Sequence, residues 1–136
     1  MNMIIKIEID GERAKSLYSM TADREKFIKT LAVTDESTTI ITENYYEIIQ
    51  ELGTIILLFE GLKATGESAH REVLDYLGKI NIFNPEEMSI VQDLRLKRNY
   101  SRYEGKRISS SYLIQKKKAL EDIIAKLRKA VEKRIR

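Results

Sequence analysis

The stretch from residue 34 to 62, TDESTTIITENYYEIIQELGTIILLFEGL, constrains the fold of this chain more than any other. Ile41, Tyr45, Ile48, Leu52, Ile55, Phe59 and Leu62 recur every three or four positions. That spacing gathers side chains on one face of an α-helix and would scatter them over both faces of a strand. A stripe of this length has to be covered by neighbours of similar length. The spacing therefore predicts a helical bundle built around this segment, with Gly61 and Gly66 as its stops.

The same period runs through the flanking segments. A first helix is expected from about residue 11 to 31, with Ala14, Leu17, Tyr18, Phe27, Ile28 and Leu31 inward. A third, ESAHREVLDYLGKI, has Ser68 placed as N-cap and Ala69, Val73, Leu77 and Ile80 inward. The fourth, NPEEMSIVQDLRLKRN, combines Asn84 as N-cap, Pro85 at the first helical position and Glu87 three residues after the cap. The last runs from about Ser110 to the C-terminus through Leu113, Leu120, Ile123, Leu127 and Val131. Strand alternation is weak and confined to residues 3–9. Short loops between these segments predict an all-α fold, an antiparallel four- to five-helix bundle. At 136 residues, with no repeat and no low-complexity linker, it forms one domain over 1–136.

The chemistry open to such a bundle is narrow. There is no cysteine, which removes disulfides and thiolate metal sites. His70 is the single histidine, which excludes clustered imidazole ligands and a serine–histidine triad, and no metal or cofactor is expected. The opening MNMIIKIEID is broken by Lys6 and Glu8, unlike a signal peptide, and no run of about 18 apolar residues follows. A cytoplasmic location without membrane contact is the expectation. Abundant Lys, Glu and Ile with one Pro resemble a thermophile's composition.

The formal net charge of +3 conceals an asymmetry. Residues 1–90 hold 9 Lys and Arg against 16 Asp and Glu, a balance of −7, whereas residues 91–136 hold 15 against 5, a balance of +10. Either the halves neutralise each other by packing, or the basic half offers a surface to phosphate. Within QKKKALEDIIAKLRKAVEKRIR, Asp122 and Lys126 are spaced for an i,i+4 pair on a solvated helix face.

One basic residue falls where a core residue belongs. Met88, Val91, Leu94 and Arg98 share a stripe, and seven residues at about 100° each bring Arg98 within roughly 20° of Val91. An unpaired buried guanidinium is costly. Three arrangements are open: the stem covers core while the head reaches an opening, the charge pairs internally with Glu43, Glu47 or Glu51 of the second helix, or it faces a ligand.

At these residues the chain resembles the HEPN family. LRLKRNYSRYEG is similar to the family signature, in which Arg, usually followed by a polar residue such as Asn, precedes a His by four to six positions near a helix end. Arg98 and Asn99 match its start, and Tyr103 stands where the histidine of the shortest spacing would be. Upstream, ENYYEIIQELGTIILLFEGLKATGESAHREVLDYL resembles the family's long helix, with a Tyr-Tyr pair, a Gly-bounded loop and a His opening the next helix. The resemblance covers about residues 10–135. It implies a homodimer whose motif residues meet across a two-fold axis. Active members are metal-independent endoribonucleases, often toxins of a toxin–antitoxin pair encoded beside a minimal nucleotidyltransferase.

Carried over residue by residue, the resemblance makes Arg98, Asn99 and Tyr103 the catalytic candidates. Arg95, Arg98, Arg102, Lys106 and Arg107 become the candidates for phosphate or nucleic-acid binding. Arginine stabilises phosphate as its charge grows, and histidine moves protons to and from the 2′-hydroxyl and the leaving oxygen. A tyrosine titrating near 10 is a poor base at pH 7, so degenerate catalysis is expected. His70 opens the third helix, where capping or packing competes with a replacement catalytic role. Tyr45, Tyr46, Tyr100, Tyr103 and Tyr112 can stack on bases or pack in the core with their hydroxyls at its rim. Three functions stay open. One is a HEPN-like module that binds a nucleotide or RNA phosphate, or docks a nucleotidyltransferase, without cleaving. Another is a ribonuclease using Arg98 and Tyr103, and the last is a non-catalytic scaffold whose basic half meets an acidic partner. The missing motif histidine favours the first.

Overall fold

The structure, a computed structural model, describes residues 3–135. Five helices, α1 (Gly11–Lys29), α2 (Asp35–Phe59), α3 (Ala69–Lys79), α4 (Pro85–Glu104) and α5 (Ser110–Ile135), accompany two short strands, β1 (Met3–Lys6) and β2 (Leu62–Thr65). This is the helical bundle the spacing predicts. α2 is its axis and packs against each of the other four helices. Its burial therefore exceeds the stripe read from the sequence: beside Ile41, Tyr45, Ile48, Leu52 and Ile55, the off-stripe Tyr46, Ile49, Ile56, Leu57 and Leu58 are also buried. A helix whose apolar surface extends this far round is covered by neighbours on most sides.

The start signals of α4 act as the sequence indicates. Asn84 Oδ1 accepts from the Glu87 N–H at 2.8 Å, and Glu87 Oε1 accepts from the Asn84 N–H at 2.9 Å, a closed capping box with Pro85 in the first turn. A second capping box, Thr34 with Ser37, opens α2. α4 continues past Asn99 to Glu104 and ends where Gly105 adopts a left-handed φ of 66°. The added turn keeps Arg98 inside the helix, on its inward face.

Three expectations are corrected. α2 stops at Phe59, so Leu62 does not extend its stripe. Gly61 turns the chain with a φ of 70°, its carbonyl accepting from the Ile7 N–H at 2.8 Å. Leu62 then begins β2, antiparallel to β1 with Met3 opposite Thr65 and Lys6 opposite Leu62. Phe27, placed inward by the sequence, is 63% exposed. The covered face of α1 instead carries Thr21 and Glu25 with Ala14 and Ile28, because it meets charged partners. Arg24 grips Glu51 through Nε at 3.0 Å and Nη2 at 3.2 Å, Thr21 lies 3.2 Å from the same carboxylate, and Glu25 pairs with Lys29 and Arg128. Finally, Asp122 pairs with Lys118 at 3.3 Å rather than with Lys126, which takes Glu87 at 2.7 Å.

That last exchange shows how the two halves of the sequence balance. Glu25–Arg128, Glu47–Arg98, Glu60–Arg134 and Glu87–Lys126 all join the acidic half to the basic one. Among the described residues, no helix is long and apolar enough to cross a membrane.

Candidate functional site

Arg98 continues the stripe of Val91 and Leu94 and is only 6% exposed. α2 presents three carboxylates at four-residue spacing towards its surroundings, and each has a different partner. Glu43 accepts from the Ser101 hydroxyl at 2.8 Å, Glu51 takes Arg24, and Glu47 Oε1 accepts from Arg98 Nη2 at 3.0 Å. Arg98 Nη1 reaches Asn99 Oδ1 at 3.4 Å, and its guanidinium carbon lies 5.1 Å from the centroid of the Tyr46 ring. Its Nε is buried without a hydrogen bond. The internal ion pair and the open-facing arginine are thus combined in one side chain: paired on one edge, stacked on an aromatic face and unsatisfied on the third.

The opening it faces is a cleft of about 440 Å³ between α4 and the segment leading into α3. Arg95, Arg98, Asn99 and Tyr103 line it from α4, and Tyr46 contributes from α2. Across from them stand residues 66–71, including His70 and Arg71. Three arginines and one carboxylate, Glu67, line it, with Arg98 paired to Glu47 and Arg71 to Asp75 at 3.7 Å. The start of α3 adds to this positive field. The Ser68 side chain makes no capping bond to the helix, and the Ala69 N–H returns to the Gly66 carbonyl at 3.2 Å. The first-turn N–H groups of His70 and Arg71 have no acceptor within the helix and belong to an end that favours anions.

α2 fixes that first turn in place. Gln50 Nε2 donates to the His70 carbonyl at 2.8 Å and to the Tyr46 hydroxyl at 3.1 Å, while Tyr46 Oη lies 3.3 Å from His70 Nδ1. Partial burial lowers the His70 pKa, the nearby Arg98 and Arg102 charges add to the effect, and Glu47 opposes it. Burial pushes the Tyr46 phenol up to about 12, although Arg98 and Arg95 pull the other way. Both rings are neutral at pH 7.

The residues nominated from the sequence do not all converge. Arg95, Arg98, Asn99 and Tyr103 meet in the cleft. Arg102 is exposed one turn beyond Arg98, and its charge reaches His70. Lys106 and Arg107 do not join them: Gly105 ends the helix, and both line a separate hollow of about 270 Å³, with Lys106 Nζ 5.4 Å over the Tyr100 ring. Tyr103 is 72% exposed and sits at the rim, since five residues carry it about 140° around the helix from Arg98. Tyr45 and Tyr46, 3% and 1% exposed, are core residues with no free face for a base. The sequence reading missed the polar duty of Tyr46, the anchoring by Gln50 and the contribution of Arg71. The one available signal was a glutamine one turn after Tyr46 on the covered face. Among the described residues, no group of three or more His, Asp or Glu side chains is placed to hold a metal ion.

No protein-family model and no curated protein matches this chain.

Proposed function

We propose that this cleft holds the phosphate of an RNA or a nucleotide, in a HEPN-like module whose catalysis is degenerate. One observation carries the reading: a buried arginine, oriented by Glu47 and the Tyr46 ring, and the first turn of α3 line a single cleft. Arg71, Arg95 and Arg98 outnumber Glu67 around it, which suits an oxyanion with acceptors on every side. The Glu47 pair and the Tyr46 ring hold the guanidinium in one orientation before any ligand arrives. Arg95 is steadied by its own helix, Nε donating to Gln92 at 2.8 Å. Tyr103, at the rim and on a different face of α4, is poorly placed to move a proton for Arg98. The homodimer and the docking of a minimal nucleotidyltransferase belong to the same proposal and rest on the motif resemblance.

Binding of a labelled RNA oligonucleotide and of a nucleoside monophosphate, at two salt concentrations, tests the reading. A charge-assisted hydrogen bond is worth roughly tenfold or more in affinity, so Arg98→Ala should lose at least that much. Arg95→Ala, whose side chain supports no other element, should lose several-fold. Lys129, exposed on α5, should be replaceable by Ala with little change. Affinity should fall as salt rises. Equal losses at all three positions would mean a diffuse basic face, and metal-free RNA cleavage that disappears in Arg98→Ala would favour the ribonuclease instead.

A further inference from the structure

We infer that His70 meets the bound phosphate as a neutral hydrogen-bond donor through Nε2–H, its tautomer set by a relay from Gln50 through Tyr46, and that it transfers no proton. The inference rests on the phosphate reading of the cleft and deepens it by assigning the histidine a role.

The relay follows from which atoms can only accept and which can only donate. The His70 carbonyl oxygen can only accept, so the Gln50 side-chain atom 2.8 Å away is the amide nitrogen. That same nitrogen is 3.1 Å from Tyr46 Oη, where it again donates, so the phenol oxygen serves as acceptor there. The phenol proton is then directed to its other neighbour, His70 Nδ1, at 3.3 Å. A neutral imidazole that accepts at Nδ1 carries its proton on Nε2. In the opposite tautomer Nδ1–H and Gln50 would both donate to Tyr46 Oη, leaving the phenol proton without a partner beside a residue that is 1% exposed. An unmade bond of that kind is costly.

Partial burial first, and then the charges around the ring, keep it neutral. Arg98 and Arg102 from α4 and the positive end of α3 itself disfavour the imidazolium, and Glu47 from α2 favours it. In this state Nδ1 is occupied and Nε2 is protonated. No lone pair is left to take a proton from a 2′-hydroxyl, and no imidazolium is present to protonate a leaving oxygen. What remains is a donor on an exposed ring at the wall of an arginine-lined cleft. The ligand chemistry this selects is an ionised oxygen of a phosphate or phosphodiester, which accepts from Nε2–H.

Two measurements on the full-length protein with inorganic phosphate as probe decide the matter. The first is the ¹⁵N resonances of the His70 ring at pH 7, free and saturated with phosphate. The expected result is a protonated Nε2 and an unprotonated, hydrogen-bonded Nδ1 in both states, with Tyr46→Phe removing the bonded character of Nδ1. A ring protonated on Nδ1, or an imidazolium appearing with phosphate, overturns the assignment. The second is phosphate affinity. His70→Leu should weaken it by roughly tenfold or more, the worth of a hydrogen bond to an ionised oxygen. His70→Gln, which offers an N–H near the position of Nε2 but cannot exchange a proton, should lose less. Equal losses in the two variants overturn the donor role alone. A native protein that binds no phosphate overturns the cleft reading with it, while the ring resonances of the free protein still decide whether the relay exists.

Discussion

Arg98 is expensive to bury and is kept charged by what surrounds it. Its partner Glu47 retains 30% of its side-chain surface in contact with water, so the pair is weaker than a fully enclosed one. Arg98→Ala should therefore lower stability by about 1–3 kcal/mol in urea denaturation, and adding Glu47→Gln should return part of that loss by removing the orphaned carboxylate. The inward direction of Arg98 was legible from its spacing against Val91 and Leu94. Its partner was not: Glu43, Glu47 and Glu51 share one face of α2 at equal spacing, and only the packing of α4 on α2 selects among them. The Gln50–Tyr46–His70 relay was less legible still, because it joins groups 20 and 24 residues apart in sequence through a contact that periodicity does not encode.

Between helices, the placement of α3 depends on Gly53 of α2. A Cβ there would stand 2.6 Å from Val73 Cγ1 and 3.0 Å from Leu77 Cδ1. Replacing a helical Gly with Ala ordinarily gains about 1 kcal/mol. Overpacking of a tight contact typically costs about 1–3 kcal/mol, and a separation of 2.6 Å between buried side chains lets that cost win. Gly53→Ala is expected to be destabilising by urea titration and to weaken phosphate binding, because α3 carries His70 and Arg71. Asn84→Ala should cost about 1 kcal/mol of stability through the lost capping box. The start of α4 was fully legible because capping chemistry is local. The face of α1 was not: Thr21 and Glu25 are covered because charged residues of α2 and α5 meet them, whereas hydrophobicity alone had nominated Phe27. β2 escaped detection because four residues are too few to show alternation and depend on β1 for their pairing.

Across the whole molecule, the acidic and basic halves of the sequence fold onto each other. Glu87 illustrates the consequence. Burial works to raise its carboxyl, but the Asn84 N–H and Lys126 prevail and hold it below its ordinary value of 4.5. A carboxyl depressed in the folded state contributes stability above its unfolded pKa and loses it as pH falls through the folded one. Glu87→Gln, which can keep the cap, should lower stability at pH 7 and flatten its decline below about pH 4.5, as read by thermal unfolding at a series of pH values. Basic residues of α4 and α5 are thus committed internally, and the cleft shares in this: Arg98 is held by Glu47 and Arg71 by Asp75 at 3.7 Å, while Arg95 donates to Gln92. Sedimentation at micromolar concentration should return the homodimer the motif resemblance implies; a monomer would remove any shared site. The most direct test of the central claim is a backbone amide NMR titration of the native protein with inorganic phosphate at low salt. Shift changes should saturate and concentrate at residues 66–71 and at Arg95, Arg98 and Asn99. Changes spread along residues 116–133 of α5, or none at all, would contradict it.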